Sequence, residues 1–276
     1  MMTRIAMSLM RTLLTALALV GTSLSVADAF AGTRMPRAMN SVRGTSSPSA
    51  MCASPAAEQE PSQAEANVDP EVERAELKQE LLDLVAPLAY GFDSNEQQRE
   101  DVLEIVEELE ALNPTPAPLD TPETLQGMWR LVFTTSPSVR NVAGVMGINQ
   151  WFRDARMQEF IHDIRCEPNY VRYIESVDFP GLVSKFAGNV AVAEGYWERQ
   201  EDEPNTIVTD CNKVYLGPMK YDSDQWQSLR CLMIQEITYM DDTLRIQHGL
   251  VPNIVFIFEK LPADHKLPEL PPSMNK

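Results

Sequence analysis

Near residue 125 the hydrophobic period of this chain changes from that of a helix to that of a strand. This switch constrains the fold more than any other feature. Upstream of it, Leu77, Leu81, Leu84, Val85 and Leu88 recur at helical spacing. Asp69-Pro70 supplies a cap and a first-turn proline. Pro87 weakens the last turn and Gly91 can end it. A second helix is expected from Ser94, with Gln97 completing a capping box. Its apolar face is Val102, Val106 and Leu109, joined by Ile105 and Leu112. Glu100, Glu104, Glu107, Glu108 and Glu110 form a solvated face. Asn113-Pro114 stops the helix.

Beyond Leu125, residues alternate with a period of two. Strands are expected near 126–135, 157–166, 169–178, 189–200, 206–216, 229–240, 243–249 and 254–260. Links such as Glu167-Pro168 and Met240-Asp241-Asp242 are short. Evenly spaced strands without intervening helices indicate an antiparallel sandwich or barrel. The expected fold is therefore mainly β. A lipocalin-like antiparallel β-barrel of about eight strands (125–260) is preceded by two amphipathic α-helices (70–112). Pro137–Arg156 interrupts the pattern with Gly144 and Gly147 among Val139, Val142, Val145, Met146, Ile148, Trp151 and Phe152. It is expected to be a mobile or partly helical cover over one barrel mouth. The Pro-rich tail, 261–276, is expected to leave the core.

The chain has 276 residues, 44 % of them hydrophobic, enough for one domain with a sizeable core plus tails. A net charge of −17 argues against nucleic acid, whose binding needs a basic surface. It argues equally against simple electrostatic docking on anionic lipid. Cys52, Cys166, Cys211 and Cys231 form no CxxC pair and fit no zinc spacing. They read as free thiols, with one disulfide among the last three left open. His162, His248 and His265 share no metal-site spacing. His162 alternates with Phe160 and Ile164 and reads as a core histidine. Asp241-Asp242 reads as a hairpin turn. A Gly-rich phosphate loop and a G-x-S-x-G elbow are both missing. The sequence therefore points to no reaction, no cofactor and no metal.

Particular residues carry a family resemblance. They are Tyr90-Gly91, the run Asn113–Pro118, and Leu125-Gln126-Gly127-Met128-Trp129-Arg130-Leu131 leading into Phe133–Ser136. This segment resembles the opening of the plastid lipid-associated proteins, the PAP/fibrillin family. Ile237–Ile246 resembles the family's TYLDEDLRI block, Ile254–Lys260 its final strand, and the strand containing Gln158 its early Q-x-I segment. The likeness covers roughly residues 77–260, strong at both ends and weak from 166 to 228. Where family members continue with Arg-Gly, this chain has Gln247–Asn253. The resemblance implies a protein that holds or coats plastid lipids. Its implied partners are an apolar lipid, prenylquinone or carotenoid, and a thylakoid or lipid-globule surface. It also implies a PAP/fibrillin domain over 69–260.

The leader agrees with that compartment. Residues 1–29 have a positive start at Arg4 and Arg11, an apolar run over Leu13–Val26, and Ala27-Asp28-Ala29 at the expected cut. This is signal-peptide construction, and the run is shorter than a spanning helix needs. Phe30 follows, and residues 30–52 have transit-peptide composition, with Arg34, Arg37 and Arg43 and no acidic residue. A signal peptide, a Phe and a transit peptide resemble the bipartite leader of red-lineage complex plastids. Residues 53–68 read as a disordered linker.

Gly127-Met128-Trp129 also resembles the G-x-W signature with which lipocalins open their first strand. There the Trp closes the barrel base under a late Arg, and Arg245 is the candidate here. Alternation groups Trp129, Leu131 and Phe133 on one face, Tyr196 with Val190 and Val192, and Ile254 with Phe256 and Phe258. About eight strands enclose room for one small ligand or for packed side chains. The interior is thus either an apolar cavity or a filled core. The expected ligand contacts are Trp129, Phe133, Trp151, Phe152, Tyr196, Tyr239, Arg245 and Phe256, with Gln158 a further polar group. In a coat, by contrast, the helices and 137–156 would meet lipid from outside, and a lipocalin-type enzyme acting on a carotenoid would need a convergent pair of titratable groups inside the barrel, which the sequence does not show.

Overall fold

Asp69 caps the first helix, α1 (Pro70–Val85), by accepting from the Glu71 N–H at 3.0 Å. In the computed structural model the described residues are 69–147, 155–179, 188–222, 227–251 and 253–275. The expected signal peptide, transit peptide and linker lie outside them, as do Trp151 and Phe152. Helix α2 (Glu96–Ala111) begins one residue later than expected. Asn95 and Gln98, not Ser94 and Gln97, make the capping box. Ser94 Oγ instead donates to the Gly91 carbonyl at 2.7 Å. Among the described residues, no helix is long and apolar enough to cross a membrane.

The turn between the helices docks onto the barrel. Tyr90 and Gly91 both have positive φ, 63° and 90°. The Tyr90 carbonyl accepts from the Thr134 N–H at 3.1 Å. A Cβ on Gly91 would stand 2.3 Å from the Thr134 carbonyl oxygen, so only glycine fits this approach. The Tyr90-Gly91 pair is therefore a docking turn.

A short helix, α3 (Pro122–Leu125), leads into what are, among the described residues, nine strands. They are β1 (Gly127–Thr134), β2 (Arg156–Cys166), β3 (Asn169–Asp178), β4 (Val190–Arg199), β5 (Thr206–Leu216), β6 (Met219–Asp222), β7 (Ile234–Met240), β8 (Leu244–Gly249) and β9 (Val255–Lys260). Eight close into an antiparallel barrel in the order β4-β3-β2-β1-β9-β8-β7-β5, with β5 pairing back onto β4. Strand β6 hangs from β5 outside this ring and was not anticipated. The expected strand 229–240 is shortened, because Gln227–Leu232 forms a 3-10 turn.

The barrel carries a core on each side of its wall. Inside, Leu131, Phe160, Tyr173, Val214, Phe256 and Phe258 belong to the largest buried cluster. Outside, Leu244, Ile246, Val255 and Ile257 pack beneath Leu81, Val102, Val106 and Leu109 of the helices. The C-terminal tail does not leave the body. Leu261, Leu267, Leu270 and Met274 pack over Ile161, Ile174 and Val192. Ser273 N–H and Oγ both donate to the Gly217 carbonyl.

Each end of the barrel is crossed by chain. At the base, where β1 begins, lie Asn113–Gln126. Asn113 Nδ2 donates to the Thr238 carbonyl at 2.8 Å, Arg199 pairs with Asp120 at 2.7 Å, and Cys166 Sγ contacts the Pro122 carbonyl. At the opposite end, α4 (Pro137–Val142) and the turn after it bury Val139, Val145 and Met146 against Leu229 and Leu232. The expected helical cover is thus present over 137–142, and residues 148–154 lie outside the described residues.

Candidate functional site

The inner face is built by strand alternation, and on β8 the usual polarity is reversed. Leu244 and Ile246 turn outward to the helices, so Arg245 and Gln247 turn inward and are fully buried. Arg245 stands opposite Phe258, and Gln247 between Ile237 and Phe256. Across the barrel, β2 and β3 bring in His162 opposite Tyr173, and Phe160 opposite Glu175. Gln235 enters from β7, opposite Ile207.

Arg245 is the centre of the base. Its guanidinium lies 4.6 Å from the Trp129 ring centroid and 4.7 Å from that of Phe258, the stacking expected from the sequence. Trp129 Nε1 donates to the Leu125 carbonyl at 2.8 Å, tying the ring to α3. Lys260 approaches the same ring at 5.0 Å. Arg245 Nη2 donates to His162 Nδ1 at 3.0 Å, since a guanidinium has only donors. The proton of His162 therefore sits on Nε2. Burial, then the Arg245 charge, holds the imidazole well below its ordinary range, so it is neutral at pH 7. Burial lowers Arg245 to about 9, which leaves it charged at that pH.

Several interior polar atoms have no hydrogen-bond partner among the described residues. They are Arg245 Nε and Nη1, His162 Nε2, Glu175 Oε1, and both amide atoms of Gln235 and Gln247. Tyr173, by contrast, is satisfied by Thr209 Oγ1 at 3.1 Å and the Leu232 carbonyl. No group of three His, Cys, Asp or Glu gathers as a metal site would require, among the described residues. Cys166, Cys211 and Cys231 are free thiols.

Glu175 faces the covered end. One oxygen accepts from the Met146 N–H at 2.5 Å. Burial raises its carboxyl to about 7, against the backbone donors Met146 and Val145. Its folded pKa exceeds the ordinary value of 4.5, so between these limits the folded chain holds a proton that the unfolded chain has released. Stability should therefore fall as pH rises from about 4.5 to 7, and stay low above that. Glu175→Gln is expected to be more stable than the parent at pH 8 and to lose that advantage at pH 4.5. Thermal melts at both values check this, and an equal difference at the two would refute it.

The sequence-predicted contacts divide. Trp129, Arg245 and Phe256 share the interior. Phe133 does not, because a bulge between Leu131 and Phe133 turns it outward beneath the helices. Tyr239 is turned outward in the same way by a bulge after Ile237, and its hydroxyl donates to Asp241 at 2.7 Å. Tyr196 does share a face with Val190 and Val192, but it is the outer face, and Tyr196 is 55 % exposed. Gln158 is exposed at a bulge in β2, where its carbonyl accepts from the Tyr90 hydroxyl. Trp151 and Phe152 fall outside the described residues. Glu175, Gln235 and Gln247 were missed. The available signal was parity, since Glu175 alternates with Val171, Tyr173 and Val177, and Gln235 with Ile237.

Comparison with known proteins adds partial likenesses to this geometry. Residues 75–159 match the PAP_fibrillin family model. The chain is 52 % identical over 59 residues to a probable plastid-lipid-associated protein 3, chloroplastic, of Arabidopsis thaliana, covering 21 % of this chain and 16 % of that protein. It is 44 % identical over 82 residues to plastoglobulin-1, chloroplastic, of Pisum sativum, covering 29 % and 22 %. It is 30 % identical over 76 residues to a chromoplast-specific carotenoid-associated protein C1 of an Oncidium hybrid cultivar, covering 28 % and 24 %. The aligned stretches thus span less than a quarter of each relative. Among solved structures, a REP1-NXSQ fatty acid transporter superposes with a TM-score of 0.24 at 11 % identity, covering 51 % of this chain and 98 % of that one.

Proposed function

We propose that the chain, whose residues 75–159 match the PAP_fibrillin family model, is a plastid lipid-associated protein that takes up one lipid molecule inside its barrel. One observation carries this reading: the buried polar atoms of the interior that lack partners. Each such group costs about 1–3 kcal/mol if nothing meets it. An apolar filling would have no use for Arg245, Gln235 and Gln247, whereas a lipid with a polar end supplies what they lack. The surrounding apolar lining supplies the rest of the contact.

The alternative coat needs apolar surface on the helices and over 137–156. Leu81, Val102, Val106 and Leu109 already spend the helical faces on the barrel, and Val139, Val145 and Met146 turn inward. Contact with thylakoid or plastoglobule lipid falls instead to the β8–β9 turn, where Leu250 is 71 % and Val251 54 % exposed. That turn lies beside the end of β1, near α4, since Thr135 Oγ1 donates to the Asn253 carbonyl. The plastid address rests on the chloroplastic relatives and on the leader, 1–52, acting as an import signal.

A ligand that binds only the folded state raises its melting temperature. Prenylquinone, carotenoid and galactolipid are each titrated against the purified chain. At a hundredfold excess over Kd, a bound lipid adds about 2.7 kcal/mol. If no lipid shifts Tm and none is extracted from the natively purified protein, the interior-ligand reading is wrong.

A further inference from the structure

We propose that Arg245 receives the carboxylate of a long-chain fatty acid, which enters the barrel head first with its tail towards α4. This rests on the interior-ligand reading above and names the ligand class.

The charge balance of the base carries the inference. Among the described residues, no carboxylate pairs with Arg245, although the chain as a whole has a net charge of −17. The ring centroids of its aromatic neighbours, Trp129 and Phe258, lie 4.6 and 4.7 Å from the guanidinium carbon, and the rings offer it no acceptor lone pair. The groups that Arg245 and His162 leave without a partner among the described residues are donors only: Arg245 Nε–H and Nη1–H and, on the imidazole whose Nδ1 meets Nη2, His162 Nε2–H. A neutral quinone or carotenoid would leave the charge uncompensated at a fully buried position. A carboxylate accepts through two oxygens and neutralises it. The base is closed by Leu125 and Trp129, so the acidic group has to sit at the bottom and the chain has to run upward. Gln247 lies two residues along β8, and Leu131, Phe256 and Val214 offer apolar contact. The interior carboxylate, Glu175, is held at the covered end by the Met146 N–H, away from this pairing.

Oleate, oleyl alcohol, methyl oleate and acetate are titrated against the full chain by calorimetry, for the parent and for Arg245→Met. The parent is expected to bind oleate at least about tenfold more tightly than the alcohol or ester, with acetate weaker still. In Arg245→Met that preference should vanish while oleyl alcohol still binds. Its melting temperature should not fall, because a buried unpaired charge has been removed. If all three oleyl compounds bind the parent equally, the proposal is overturned and the lipid-barrel reading stands. If none binds, the proposal is overturned, and the lipid-barrel reading is decided by the prenylquinone, carotenoid and galactolipid titrations. Acetate binding as tightly as oleate would make the base a free-anion site and overturn the fatty-acid assignment. The parent titrations decide the question even if the variant fails to fold.

Discussion

Trp129→Ala is expected to lower the unfolding free energy by about 3–5 kcal/mol. The indole is fully buried, and its removal leaves a cavity at the base. The link from Nε1 to the Leu125 carbonyl is lost with it, so α3 loses its anchor. Arg245 would lose one of the two rings that flank it, a stacking worth about 0.5–2 kcal/mol. Urea titration of the purified chain measures the change. An unaltered midpoint would mean that the indole does not close the base. Lipid uptake should weaken as well, because the same ring positions the guanidinium.

Phe133→Ala is expected to be almost as destabilising, about 3–5 kcal/mol, yet to leave lipid affinity unchanged. The ring is fully buried, but between the barrel wall and the helices. Its loss should loosen the seat of Leu81, Val102 and Leu109 and free the Tyr90-Gly91 turn that bridges to this position. Denaturant melts combined with lipid titration test the two halves separately. A variant that folds normally, or one that loses lipid binding in proportion to Trp129→Ala, would put Phe133 back among the interior residues.

This contrast shows where sequence reading stopped. Seven of the expected strands match the observed ones to within about a residue, because a half-buried strand writes its period into its side chains. The helices were legible through their caps, Asp69 and the Asn95–Gln98 box, the latter one residue off. Bulges were not. One extra residue between Leu131 and Phe133, and another after Ile237, reverses the face of everything that follows, and neither leaves a compositional mark. Phe133 and Tyr239 were placed inside for that reason. The polarity of β8 was hidden differently. Leu244 and Ile246 are the residues one expects to find within a barrel, and only the helices packed outside explain why Arg245 and Gln247 take the interior. The tail's return over Ile161 and Ile174 depends on four apolar residues spaced among prolines, without a period to betray them.

The placement of the helices has a consequence for how such a chain can change. A domain with one core must keep it filled to stay folded, so its interior residues are held by stability alone. Here the helices and the outer face of β7, β8 and β9 make a second core that is indifferent to the contents of the barrel. Substitutions among inward positions such as Gln235 and Gln247 are thereby released from much of that constraint. Exchanging one inward side chain for another should then alter the interior while the outer layer keeps the wall in place.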